Sequence, residues 1–177
     1  MLKPAQLYKE QLSAALIKTW YDPRYQFYNA DEYCGVPDFQ NNNERYWQFV
    51  SVDNDDNLLG YISFCADRKT MTANWWGALS FHIGDIRFIR DLFDMVHDVF
   101  YKYGFERISW ICVADNPAVN GYWKFIKRHG GRECGYYRQN TRLMDGKLHD
   151  EVCFEILKSE FSAKQRFFVE KDGESDG

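Results

Sequence analysis

From Ile86 onward the apolar residues change period, and that change constrains the fold more than any other feature of the chain. The run before it, Ala73 to Ile83 (ANWWGALSFHI), reads as a strand. Apolar side chains then recur at Ile86, Ile89, Leu92, Phe93, Val96, Val99, Phe100 and Tyr103, the spacing of one helical face. Asp85 is placed to cap this helix and Gly104 to end it. Arg107 to Ala114 (RISWICVA) follows as a strand apolar enough to be covered on both faces. Strand, crossover helix and strand form a βαβ unit, so the two strands are expected to be parallel. Ligands in such sheets bind at the carboxyl end of the strand feeding the crossover helix. Here that end is His82-Ile83-Gly84-Asp85.

Antiparallel hairpins flank the unit. Tyr46–Val52 and Leu58–Ala66 are joined by Asp53 to Asn57, a turn of residues that tolerate left-handed backbone. Tyr136–Met144 and Lys147–Leu157 flank Asp145-Gly146, a strong two-residue hairpin signal. Pro117 to His129 reads as a helix stopped by Gly130 and Gly131. Pro4 to Trp20, with Leu7, Leu12, Leu16 and Trp20 on one stripe, reads as an amphipathic helix. Residues 21–45 read as a short helix or irregular loop that shapes a binding surface. The expected fold is α/β: a central mixed sheet with a βαβ crossover and flanking helices, in one domain over residues 1–169. Residues 170–177 are expected to be a disordered tail.

Composition narrows the function. The chain of 177 residues carries a net charge of −4 and a pI near 5.6, which leaves no electrostatic footprint for nucleic acid. It contains no membrane-length apolar run and no secretory pattern, so a cytoplasmic protein is expected. Cys34, Cys65, Cys112, Cys134 and Cys153 form no Cys-x-x-Cys pair, and His82, His97, His129 and His149 show no metal spacing. Neither a structural zinc site nor a disulfide framework is expected. Aromatic residues make up 18%, enough to fill a core and leave a surplus for a groove.

Three segments resemble the GNAT acyltransferase superfamily, closest to its ribosomal-protein N-terminal acetyltransferase branch. They are KYGFERISWICVADNPA, YWKFIKRHGGRECGYYR and LMDGKLHDEVCFEILKSEF, and the likeness extends over roughly residues 4–160 on the size expected of one domain. The resemblance implies a parallel pair that splays apart to admit coenzyme A. It also implies transfer of an acetyl group from acetyl-CoA, as co-substrate, to a small-molecule or peptide amine. The family's Q/R-x-x-G-x-G/A loop, where backbone amides hold pyrophosphate, falls on Ile83, Gly84, Asp85, Ile86, Arg87 and Phe88. Only Gly84 survives of its glycines. As a helix cap, Asp85 would fill the amides that a pyrophosphate needs, with Arg87 and Arg90 placed to offset its charge.

The resemblance further implies a pantetheine-binding asparagine at Asn116 or Asn120, and Tyr122 as the acid for the leaving thiolate. A backbone donor near Leu79 or Phe81 would polarise the acyl carbonyl. His82 is the favoured base on position, beside Asp31, Glu32 and Glu133. Asp22, Asp31 and Glu32 give the 21–45 segment an acidity suited to a cationic amine. Tyr136-Tyr137 is a candidate homodimer surface. The alternative reading is a non-catalytic GNAT-fold binding module that has lost the pyrophosphate site. An acyltransferase with another donor, such as an aminoacyl carrier, is a third.

Overall fold

The computed structural model describes residues 1–28, 35–39, 42 and 45–161. Ten elements build it: β1 (Leu2–Pro4), α1 (Lys9–Ile17), β2 (Tyr46–Val52), β3 (Leu58–Asp67), β4 (Thr72–Ser80), α2 (Ile86–Tyr101), β5 (Arg107–Val113), α3 (Val119–His129), β6 (Arg132–Arg142) and β7 (Leu148–Leu157). Short 3-10 turns lie at Ala5–Tyr8 and Pro23–Tyr25. The strands form one mixed sheet in the order β1-β2-β3-β4-β5-β7-β6. Neighbours are antiparallel except β4 and β5, which run parallel on either side of the α2 crossover. The expected α/β mixed sheet is therefore the observed one.

Several boundaries moved. The first helix does not begin at Pro4, because Leu2–Pro4 pairs with Ser51, Val50 and Phe49 as an edge strand. A 3-10 turn intervenes, and α1 starts only at Lys9. Leu12 and Leu16 are buried as the stripe requires, while Leu7 is exposed. The strand expected to reach Ile83 stops at Ser80. Ser80 Oγ donates to the His82 carbonyl at 2.6 Å, the Asp85 amide returns to the same carbonyl, and Gly84 takes φ +84°. That turn carries His82 off the strand. The third helix begins at Val119 and not Pro117, since Asn116 and the next two residues form a capping turn. Sheet pairing also extends β6 back to Arg132. The tail at 170–177, together with Asp31, Glu32 and Cys34, falls outside the described residues.

Side chains alternate between the sheet's faces, and two apolar clusters follow. Ile62, Phe64, Ala73, Ile108, Trp110, Phe154 and Ile156 pack with α2 and α3 on one face. Val50, Val52, Tyr61 and Leu79 pack with α1 and the Tyr25–Tyr28 segment on the other. Phe88 locks the start of α2 onto the sheet. A Cβ on Gly60 would stand 2.3 Å from its ring and 2.5 Å from the Leu79 carbonyl oxygen, so only glycine allows that approach.

Candidate active site

The feature that makes a site is the failure of β4 and β5 to stay together. Their ladder holds only Thr72↔Arg107 and Ala73↔Ile108. Just beyond it, Ser109 Oγ donates to Asn74 Oδ1 at 2.8 Å and closes the base of the wedge. Then β4 bulges. Ser63 pairs with Gly77 but Cys65 with Asn74, so Trp75 and Trp76 together oppose Phe64. Trp75 sits in left-handed backbone at φ +56°. Such a bulge bends and twists its strand, and from there β4 pairs with β3 alone.

A cavity of about 1330 Å³ occupies the wedge and reaches both layers. Trp110, Cys112, Tyr122 and Phe125 line it on the α2/α3 face, and Tyr25 and Tyr28 on the other. The pleat decides which backbone groups face it. The Phe81 amide donates to the Leu59 carbonyl at 2.9 Å, and Tyr61 stands opposite Leu79. Leu79 and Phe81 therefore direct their amides at β3, and alternation turns those of Ala78 and Ser80 toward the gap. Near Leu79 and Phe81, the amides that face the gap are those of Ala78 and Ser80.

Tyr122 lines the cavity, its ring edge-on to Trp110 at 5.7 Å and tilted on Phe154 at 5.9 Å. The side chain as a whole is half-buried, yet desolvation at its hydroxyl raises the phenol's pKa well above the usual value. The group is thus a hydrogen-bond donor at any physiological pH. It is also a weak acid. Burial likewise pushes the neighbouring Cys112 thiol up to about 12, which removes it as a thiolate.

Asp85 caps α2. Its Oδ1 accepts from the Arg87 amide at 2.8 Å, and the Phe88 amide also donates to the carboxylate. Arg87 folds back on it, with Nη2 at 2.7 Å from Oδ2 and Nη1 at 3.8 Å from Asp53. Hydrogen bonding to the Arg87 side chain chiefly holds the Asp85 carboxyl at about 2. The carboxylate stays charged and sits on the first free amides of the helix.

The remaining sequence candidates divide. Leu79, Ile83, Gly84, Asp85, Phe88 and Asn116 line the cavity. Asn116 spends its Oδ1 on the Ala118 amide at 2.9 Å. Phe81, His82, Ile86, Arg87 and Asn120 are not on the cavity wall, and His82, Ile86, Arg87 and Asn120 are exposed. Glu133 is exposed on β6.

Sequence reasoning missed one carboxylate. Glu151 lines the cavity, its Oε1 accepting from Thr141 Oγ1 at 2.9 Å and its Oε2 from Asn140 Nδ2 at 2.5 Å. The signal was present in HDEVCFEIL: Val152, Phe154 and Ile156 are buried in the α2/α3 cluster, so Glu151 must point through the opposite face.

Neither a known protein-family pattern nor a curated protein sequence matches this chain. Solved structures do. A variant of spermidine N-acetyltransferase SpeG from Vibrio cholerae superposes with a TM-score of 0.56 at 21% identity, over 66% of this chain and 68% of that one. The spermidine/spermine N-acetyltransferase SpeG from Vibrio cholerae in complex with manganese ions gives the same TM-score of 0.56 at 21% identity, over 66% and 68%. A chimera of the Vibrio cholerae enzyme with hSSAT reaches 0.57 at 21% identity, over 66% and 72%. The chain has the GNAT fold. At that identity the likeness carries the fold and not the substrate. In this fold the parallel pair is β4–β5 and the crossover helix is α2, capped by Asp85. Among the described residues no helix is long and apolar enough to cross a membrane, and no cluster of His, Cys, Asp and Glu is arranged to hold a metal.

Proposed function

We propose that this protein is an N-acyltransferase that moves an acetyl group from acetyl-CoA to an amine. The observation that carries the reading is the cavity threading the sheet where β4 leaves β5, because it gives two reactants separate approaches to one point. The thioester would enter between α2 and α3, along Trp110 and Tyr122. The amine would arrive from the face of Tyr25 and Tyr28. Its nitrogen attacks the thioester carbonyl, the C–N bond forms and the C–S bond breaks.

Each wall has a role in that step. The amides of Ala78 and Ser80 point toward the gap, where they would hydrogen-bond the carbonyl oxygen as it gains charge. Tyr122 would hydrogen-bond the departing sulfur. A thiol has a pKa of about 8.5 and the buried phenol is a weaker acid still, so full proton transfer from Tyr122 is uphill. Its contribution is stabilisation of charge on sulfur, with solvent completing the protonation. The amine's proton leaves on the other face, where Glu151 is the carboxylate on the wall. His82 is exposed and is not on the cavity wall.

Asp85 supports the second reading, a GNAT-fold module that binds something other than CoA. Its carboxylate occupies the amides a diphosphate would need and repels phosphate. Calorimetry with acetyl-CoA and desulfo-CoA on the wild type and Asp85→Ala separates the two. The acyltransferase reading expects micromolar binding that tightens about fivefold when the competing carboxylate is removed. No binding by either protein at millimolar ligand would leave the module reading standing.

A further inference from the structure

The two mouths of the cavity differ in chemistry, and the acceptor mouth is specific enough to name a class of amine. Taking the N-acyltransferase reading as its basis, we infer that the acceptor is a primary monoamine with a flat aromatic body, its ammonium seated on Glu151 and its ring among Tyr25, Phe27, Tyr28 and Trp75.

The charge argument comes first. On this face Glu151 has one hydrogen bond to each carboxylate oxygen, both from neutral donors, Thr141 and Asn140. Both donors are neutral, so neither cancels its charge. A carboxylate offers about four acceptor sites, which leaves room for an ammonium. The other carboxylate on the cavity wall, Asp85, belongs to the α2 end and is already bound by Arg87. Arg24, a cation on this wall, is held by Asp22 at 2.6 Å. Glu151 is thus the available carboxylate on the described cavity wall, and it fits one ammonium.

The aromatic argument is independent of the first. Tyr25, Phe27, Tyr28 and Trp75 all line the cavity. Tyr28 is fixed edge-on to Tyr61 at 6.5 Å, and the Tyr25 hydroxyl donates to the Phe81 carbonyl at 3.2 Å. Two of the four rings are therefore anchored before any ligand arrives. Trp75 is 67% exposed on a left-handed bulge residue at the edge of the wedge. An exposed indole held by a strained backbone at the rim suits stacking against a flat ligand.

The test uses acetyl-CoA as donor and compares phenethylamine, ethylamine and spermidine as acceptors. The expected order places phenethylamine about tenfold or more above ethylamine in kcat/KM, the gain from burying one ring, with spermidine below phenethylamine. Glu151→Gln is expected to raise the KM for phenethylamine about tenfold while leaving the Kd of desulfo-CoA unchanged. Trp75→Ala should shrink the phenethylamine-to-ethylamine ratio in kcat/KM. Direct binding of phenethylamine, followed by calorimetry on the wild type and Glu151→Gln, reads the site without turnover. Binding that depends on Glu151 in the absence of transfer would keep the amine site and remove the acyltransferase reading. A preference for spermidine, equal use of ethylamine, or amine binding indifferent to Glu151→Gln would each overturn the inference.

Discussion

Strand β5 has a neighbour on each side and treats them in opposite ways. Toward β7 it pairs through all its residues, from Arg107↔Leu157 to Val113↔Glu151. Toward β4 it pairs at Thr72 and Ala73 only. The closed flank carries the well-packed aromatics: Phe154, fully buried, stacks on Trp110 at 5.4 Å and meets Trp123 at 5.1 Å. The open flank carries the cavity, a bulge and backbone amides turned away from any ladder. One strand thus divides two duties, with stability concentrated on one edge and ligand access on the other. An open parallel pair is tolerable because β3 and β7 hold its two members from outside.

This division can be broken from either side. The largest effect is expected on the closed flank, where Phe154→Ala should cost about 3–5 kcal/mol, read as a lowered urea midpoint. A loss under about 1 kcal/mol would mean that β5 and β7 are not where stability resides. On the open flank, Tyr122→Phe removes one hydroxyl and no packing. It should lower kcat about ten- to a hundredfold, the worth of a hydrogen bond to a charged group, with the urea midpoint unmoved. An unchanged kcat would remove Tyr122 from the reaction.

The smallest effect concerns pH. His149 on β7 bonds Asp115 at 2.7 Å and Asp145 at 3.1 Å, tying the last hairpin to the loop before α3. The hydrogen bond to Asp115, then that to Asp145, raises its pKa. A raised folded pKa gives stability that is complete below the unfolded value of about 6.5 and is lost as pH rises through the folded value. The wild-type Tm should therefore fall from pH 6 to pH 8 by more than that of His149→Gln. Parallel curves would show that the clip carries no stability.

The crossover unit was legible in the chain because periodicity is local: a two-residue period up to Ser80, a helical one from Ile86, then RISWICVA. Both hairpins were legible for the same reason, although the second turn runs over Met144, Asp145 and Gly146, with Gly146 at φ +77°, and is not the two-residue form expected. Asp85 as a cap was legible too, and its carboxylate does sit on the α2 amides. The Pro4 helix start was misleading, because pairing with β2 outweighs a local preference in a three-residue segment. His82 was read onto the strand end from the local pattern alone. A turn built by Ser80 and Gly84 separates it from the strand end that made it attractive.

Sequence by itself determined the α/β order, the parallel pair and the charged cap on the crossover helix, all of which depend on neighbours within a few residues. Only the tertiary structure decided how the sheet opens and what faces the opening. Whether Ala78 or Leu79 offers its amide depends on which strand claims the other, and Glu151 reaches the cavity through a register set by β6, β5 and the core. A one-residue slip in either ladder would turn those groups away. Their direction is a property of long-range pairing, and no local stretch of the chain encodes it.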